Sequence, residues 1–98
     1  STPVKIKEII ERLESISPVM GEYIAELKKH KPNSLRHHLL RVLSLRATYQ
    51  KQDILIAVAR GLKYKVYESS AIENFLSVNA DKKNEITLYS QKRPSNED

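Results

Sequence analysis

Apolar residues recur every three or four positions through most of residues 1–80, which is the spacing of helices with one buried face. Two helix starts are marked by a polar residue followed by proline, at Thr2-Pro3 and at Ser17-Pro18. The first helix then carries an apolar stripe made of Ile6, Ile9, Ile10 and Leu13, and the second carries one made of Val19, Tyr23, Ile24 and Leu27. Both helices are therefore predicted to bury one side.

The segment Lys31-Pro32-Asn33 interrupts the pattern, and a third helix is predicted from about 34 to 48. On a helical wheel its apolar arc holds Leu35, Leu39, Val42 and Leu43, and a second arc holds His37, Arg41, Ser44 and Thr48. Arg46 falls within the apolar arc. It either pairs with an acid there, Asp53 being the nearest in sequence, or extends its long side chain outward to solvent.

The fourth helix is predicted to begin near Asp53, whose carboxylate suits a helix N-terminus. We expect its core side to consist of Ile54, Leu55, Val58, Ala59 and Leu62, and its opposite side to present Ile56, Arg60, Lys63 and Tyr64. Gly61 within this helix suggests close backbone packing. A short connector with Tyr64 and Tyr67 follows, and Ser70-x-x-Glu73 is a capping-box pattern that predicts a fifth helix.

Beyond Ala80 the helical periodicity ends and the sequence becomes polar. We therefore predict an all-α fold, a compact bundle of about five short helices at 1–80, followed by a polar, flexible tail at 81–98. Within the tail, residues 86–89 are apolar enough to order as a short strand or to lie extended on another surface. The chain starts at Ser1 directly before a helix start, and we expect it to be part of a longer protein.

Several classes of function are disfavoured by composition. The chain has no Cys, and no apolar run approaches the roughly 20 residues of a membrane span. His37 and His38 are consecutive and point about 100° apart on a helix, which does not suit a shared metal ion. No nucleophile, base and oxyanion site come together in the sequence. We therefore expect no catalysis, no metal, no cofactor, no small-molecule substrate and no membrane contact.

The distribution of charge points instead to a binding role. Ten of the seventeen Lys and Arg residues lie between Lys28 and Lys65, where Asp53 is the single acidic residue. Because this basic segment also carries the apolar stripes of two helices, its charge must lie on an outer face. Such a face attracts phosphates or an acidic protein surface, although charge that serves only solubility is the simpler alternative.

The same region resembles the C-terminal region of IstA-type transposases, DDE recombinases that work with the AAA+ helper ATPase IstB. The resemblance covers about residues 20–77 and consists of spaced apolar and tyrosine residues: Tyr23, Leu27, Leu35, Leu39, Leu40, Leu43, Leu45, Tyr49, Ala57, Ala59, Leu62, Tyr64, Val66, Tyr67, Ile72 and Leu76. Lys65 stands where family members tend to have glycine. The resemblance implies a non-catalytic module of a bacterial, cytoplasmic, nucleoid-associated transposase, with the catalytic acids in an upstream domain.

Two functions of such a module stay open. The first is protein–protein contact with the helper ATPase or within the transposase assembly, for which interfaces favour arginine and tyrosine; the expected residues are Arg41, Arg60, Lys63, Tyr64 and Tyr67. For the two tyrosines the alternative is packing at a helix corner with the hydroxyl hydrogen-bonded. The second is binding to the DNA backbone of transposon ends or target, with Arg36, His37, Arg41, Lys51, Lys63 and Lys65 as candidates. A helix-turn-helix reader is disfavoured, since the fifth helix has no Arg or Lys. Self-association is a third possibility.

Overall fold

The computed structural model describes residues 5–79, and this part of the chain contains helices and no strand. The five helices are α1 (Ile6–Glu14), α2 (Pro18–His30), α3 (Leu35–Ser44), α4 (Lys51–Tyr64) and α5 (69–79). Two short 3-10 turns, Pro32–Ser34 and Leu45–Ala47, flank α3. The predicted compact all-α bundle of five helices is thus confirmed, whereas the expected cap at Thr2-Pro3 and the segment 86–89 lie outside the described residues.

The central helix of the bundle is α2, which packs against α1, α3 and α4. Its start is the predicted one: Ser17 caps the helix by accepting a hydrogen bond from the Val19 N–H at 3.3 Å, and Pro18 occupies the first position. The helix buries Met20, Tyr23, Ile24 and Leu27. The phenol of Tyr23 spans the core, and its hydroxyl donates a 2.5 Å hydrogen bond to the backbone carbonyl of Tyr67.

The helices α3 and α4 differ from their predicted bounds by a few residues. α3 ends at Ser44 and tightens into a 3-10 turn, and Arg46 in that turn is exposed, as expected for a side chain that extends to solvent. α4 begins at Lys51, two residues before Asp53, which lies in its first turn. The predicted core side of α4 is wrong at one position, because Ala57 is buried and Ala59 is exposed. Ala57 and Ala59 have the same small side chain, so the apolar pattern gives little indication of which of the two faces inward.

The turn after α4 has the hydrogen bonds of a Schellman motif. The N–H of Val66 bonds to the carbonyl of Gly61 at 3.0 Å, and the N–H of Lys65 bonds to the carbonyl of Leu62 at 3.4 Å. This geometry requires a left-handed residue, and Lys65 takes that place with φ of 60° and ψ of 40°. The turn geometry that glycine usually provides is therefore formed here by a lysine.

Helix α5 starts one residue before Ser70, so the cap assigned to Ser70 from the sequence is wrong. The carbonyl of Glu68 accepts the first helical bond, from the Ala71 N–H at 3.0 Å. The N–H of Ser69 is bonded instead by Nδ1 of His38, at 3.0 Å. The cap of α5 thus comes from α3, 31 residues away in sequence.

Candidate interaction surfaces

The outer face of α4 consists of residues 52, 56, 59 and 63, which recur at helical spacing and are all exposed. Two of them, Ile56 and Ala59, are apolar, and Ile56 keeps 50 % of its surface accessible. Lys63 continues this face toward the end of the helix. The large aliphatic side chain of Ile56 is thus exposed between polar and basic neighbours. The predicted exposure of Ile56 and Lys63 is confirmed.

Beside this face lies a groove between α4 and the start of α2. It has a volume of about 740 Å³ and is lined by Val19, Gln50, Lys51, Gln52, Leu55, Ile56 and Ala59. These seven residues are called the α4 groove below. None of them is acidic, and the walls belong to two helices that pack directly on each other.

Arg41 is held by an intramolecular ion pair. Its guanidinium makes a forked contact with the carboxylate of Glu73 in α5, with N–O distances of 3.0 Å from Nε and 2.6 Å from Nη2. About half of the Arg41 side chain is still exposed. The structure therefore gives Arg41 a role in joining α3 to α5 that the sequence did not reveal.

Arg60 also turns toward α5. Its guanidinium bonds to the Asn79 side chain at 3.3 Å and lies 5.9 Å from the centre of the Phe75 ring. Tyr64 lies nearby with 59 % of its surface exposed, and the ammonium of Lys63 sits 5.5 Å from its ring centre. Tyr64 and Lys63 thus form one exposed pair, whereas Arg60 is half-buried.

Tyr67 is buried, with only 8 % of its surface accessible, so the expectation that it is exposed for a partner is wrong. Its ring stacks on that of His30 at 4.9 Å between centres, and its carbonyl accepts the Tyr23 hydroxyl. Burial and the adjacent Glu26 carboxylate raise the pKa of Tyr67. The packing of Tyr67 against α2 explains its buried position.

The six candidates for DNA contact do not form one site. Lys51 and Lys63 lie twelve residues apart on α4, roughly 18 Å along the helix axis. Arg36 is half-buried and His37 is exposed, both at the start of α3, and Arg41 is paired with Glu73. The candidates are thus spread over several elements.

Lys65 belongs to a different place, a cleft of about 560 Å³ between the end of α2 and the turn before α5. Lys29, His30 and Lys31 line this cleft together with Glu26 and Glu68. Glu26 lies 3.3 Å from His30, and the pKa of Glu68 is lowered because its carboxylate accepts backbone hydrogen bonds, with Lys31 nearby. The cleft therefore carries acidic as well as basic side chains, and the acidic ones oppose the binding of phosphate.

Sequence reasoning missed the groove and the cap from His38. Val19 and Leu55 read as core residues in a helical wheel, and Ala59 was assigned to the core as well. The one indication of the groove in the sequence is the run Gln50-Lys51-Gln52, which places three polar side chains at the N-terminal end of α4. Contacts such as His38 with Ser69 depend on the approach of distant segments.

Within residues 5–79 no group of three His, Asp or Glu side chains is arranged to hold a metal ion. In the same part of the chain, no helix has the length and apolar character needed to cross a membrane. Comparison of the chain with protein-family models, with curated proteins and with solved structures found no match.

Proposed function

We propose that the chain is a non-catalytic module that acts by protein–protein contact, through the outer face of α4, in the assembly of a DNA transposase. The observation that carries the proposal is the half-exposed Ile56 beside Ala59 and the exposed Lys63–Tyr64 pair. An apolar residue bordered by lysine and tyrosine has the composition of an interface centre. Burying the exposed half of Ile56 would contribute about 1 kcal/mol to binding.

The proposed setting follows from the resemblance of residues 20–77 to the C-terminal region of IstA-type transposases. In that setting the partner is the helper AAA+ ATPase or another subunit of the transposase, at the bacterial nucleoid. The fold supports a module of this kind, since the packing that joins the five helices leaves the outer face of α4 uncovered within residues 5–79.

Binding to the DNA backbone is the second candidate, and the exposed Lys51, Lys63 and Lys65 favour it. Two observations weaken it. Arg41 is neutralised by Glu73, and residues 69–79, the reading helix of any helix-turn-helix arrangement, contain no Lys or Arg. We expect weak, sequence-independent affinity for DNA that falls steeply with salt, with a log–log slope of roughly −0.9 per phosphate contacted.

The two candidates are separated by titrating the chain against the helper ATPase with nucleotide and, separately, against random duplex DNA, both at near-physiological salt. We expect binding to the ATPase that is weakened about fivefold by Ile56→Ser and little changed by Leu40→Ser, at an exposed apolar residue of α3. Tight DNA binding lost in a Lys51→Glu, Lys63→Glu variant, with no ATPase binding, would overturn the proposal in favour of the DNA candidate. Arg41 is unsuitable for this test because its substitution also breaks the pair with Glu73.

A further inference from the structure

We infer that the α4 groove receives one amphipathic helix of the partner protein, with acidic residues on either side of its apolar stripe. This inference rests on the proposed function, since it names the chemistry of the partner at the same surface. Three properties carry it: the extent of the lining along α4, its apolar floor and the sign of the charges in and beside the groove.

The length and the floor of the groove suit a helix. On α4 the lining runs from Lys51 to Ala59, roughly 12 Å along the helix axis, which matches the span from i to i+7 of a partner helix. Val19, Leu55 and Ile56 supply apolar contacts from two helices, and Ala59 leaves a hollow at one end of the lining because its side chain is a single methyl group. A helix in such a groove anchors residues at positions i, i+3, i+4 and i+7.

The charge of the groove selects an acidic partner. Lys51 lines one end of the groove, Lys63 is exposed about one turn beyond Ala59 on the outer face of α4, and the lining contains no carboxylate. Glu or Asp residues flanking the apolar stripe would meet both ends favourably.

Other occupants fit less well. Nucleic acid would leave the apolar floor without a partner, since phosphates gain nothing from contact with Leu55 or Ile56. A second copy of the chain, related by a two-fold axis, would bring Lys51 of one copy toward Lys63 of the other if the two α4 helices pack antiparallel. Like charges at both ends then oppose the contact.

The chemistry of the groove is tested by NMR titration of the full chain with two synthetic helical peptides, each about four turns long. Both carry leucine at i, i+3, i+4 and i+7; one has glutamate on the flanks and its twin has lysine. We expect chemical-shift changes centred on Val19, Leu55, Ile56 and Ala59, with the glutamate peptide bound about tenfold more tightly than the lysine peptide. Equal binding of the twins, or changes centred elsewhere, would overturn the inference.

The net charge of +5 would attract any acidic peptide, so a matched pair of variants is needed. Lys51→Gln with Lys63→Gln should abolish most of the preference for glutamate, whereas Lys5→Gln with Lys7→Gln removes the same charge from the start of α1 and should preserve it. A preference that survives the first pair unchanged contradicts the inference. Ala59→Arg, which fills the hollow, should abolish binding of the glutamate peptide, and retained binding also counts against a helix in the groove.

A cross-linking experiment with the helper ATPase distinguishes failure of the inference from failure of the proposed function. A photoreactive residue at position 59 should cross-link to an acidic helical segment of the ATPase, and the same residue at position 40 should not. If the ATPase binds but the cross-link maps to a basic or non-helical segment, or does not form, the inference fails while the proposed function stands. If the ATPase does not bind but the glutamate peptide occupies the groove as expected, that partner is wrong and the chemistry of the groove is supported.

Discussion

The Nδ1 atom of His38 in α3 accepts a hydrogen bond from the backbone N–H of Ser69, at 3.0 Å, at the start of α5. The hydroxyl of Ser69 also lies 3.0 Å from the same nitrogen. A backbone amide can only donate, so Nδ1 must be unprotonated for this bond to form. The docking of α5 on α3 is therefore linked to the neutral state of one imidazole.

We expect stability to fall as the pH is lowered. Burial lowers the pKa of His38 below its ordinary value of 6.5, and the nearby His37 and Lys31 act in the same direction, while Glu68 opposes them. Since the unfolded chain takes up this proton first, the contribution is fully present above pH 6.5 and is lost as the pH falls through the lowered pKa. Urea unfolding between neutral and mildly acidic pH measures the effect.

Two substitutions test whether His38 is the origin of this pH dependence. His38→Asn places an amide oxygen near the position of Nδ1 without a titrating group, and should make the free energy of unfolding less sensitive to pH. His37→Gln, at an exposed neighbour, should leave most of the sensitivity in place. An unchanged pH profile in His38→Asn would show that His38 is not the group responsible.

Gly61→Ala should destabilise the fold. A methyl group there would lie 2.8 Å from both Cδ1 of Ile72 and the backbone oxygen of Val66, and the latter cannot move without opening the turn after α4. We expect a net loss of about 1–2 kcal/mol, despite the better helix propensity of alanine. Gly21→Ala in α2 is the matched control, since its methyl would meet only Oε2 of Glu14 at 3.8 Å, and it should stabilise by about 0.5–1 kcal/mol. Equal effects at the two glycines in thermal unfolding would contradict the close approach.

Lys65→Gly should stabilise the protein. The left-handed conformation at this position costs a side chain about 1–2 kcal/mol, part of which is offset by the greater freedom of glycine in the unfolded chain. A net gain of about 0.5–1 kcal/mol is expected in chemical unfolding. Lys65→Ala removes the same charge without easing the backbone and should give no gain. If both variants gain equally, the effect comes from charge and not from the backbone.

The pair of Arg41 and Glu73 should show a measurable but modest coupling. Both side chains are partly exposed, which limits the pair to about 0.5–1 kcal/mol even with forked geometry. A double-mutant cycle with Arg41→Gln and Glu73→Gln measures the coupling directly, and raising the salt concentration should reduce it. A coupling near zero at low salt would mean that the contact does not join α3 to α5 in solution.

The buried Tyr23 should resist ionisation in alkali. Burial, with a contribution from the Glu68 carboxylate, raises its pKa far above the usual value near 10. Its neutral form therefore supports the fold at ordinary pH, and that support is lost as the pH rises above 10. Absorbance of tyrosinate should show an early step from exposed tyrosines and a late step that coincides with unfolding. Tyr64→Phe should shrink only the early step, and Tyr23→Phe only the late one.

Most of the helices could be predicted from the sequence because their signals are local. The Ser17-Pro18 pair and the apolar stripe of α2 need no information beyond a few neighbouring residues. The start of α5 could not be predicted in this way. The capping-box pattern at Ser70 suggested a start within the segment itself, whereas the side chain that caps the helix comes from His38 in α3.

The candidate surface could be predicted only in part, for a related reason. A helical wheel separates the two sides of α4 and correctly exposes Ile56, Lys63 and Tyr64. It does not show which basic side chains form ion pairs with other helices. Arg41 is therefore predicted as a partner-contact residue, although its guanidinium pairs with Glu73. The sequence also leaves open whether Tyr67 is exposed or packed, because the residues that cover it, Tyr23 and His30, belong to α2.

The Arg41–Glu73 contact has a consequence for the evolution of this chain. Loss of either partner would leave the other charge unpaired at the junction of α3 and α5, so substitutions at positions 41 and 73 should occur together among homologues. Within residues 5–79, Lys51 and Lys63 make no ion pair with another helix, and they should instead vary with the partner protein. Covariation between positions 41 and 73 would indicate selection for folding. Variation of positions 51 and 63 that is independent of the other helices would indicate selection for binding.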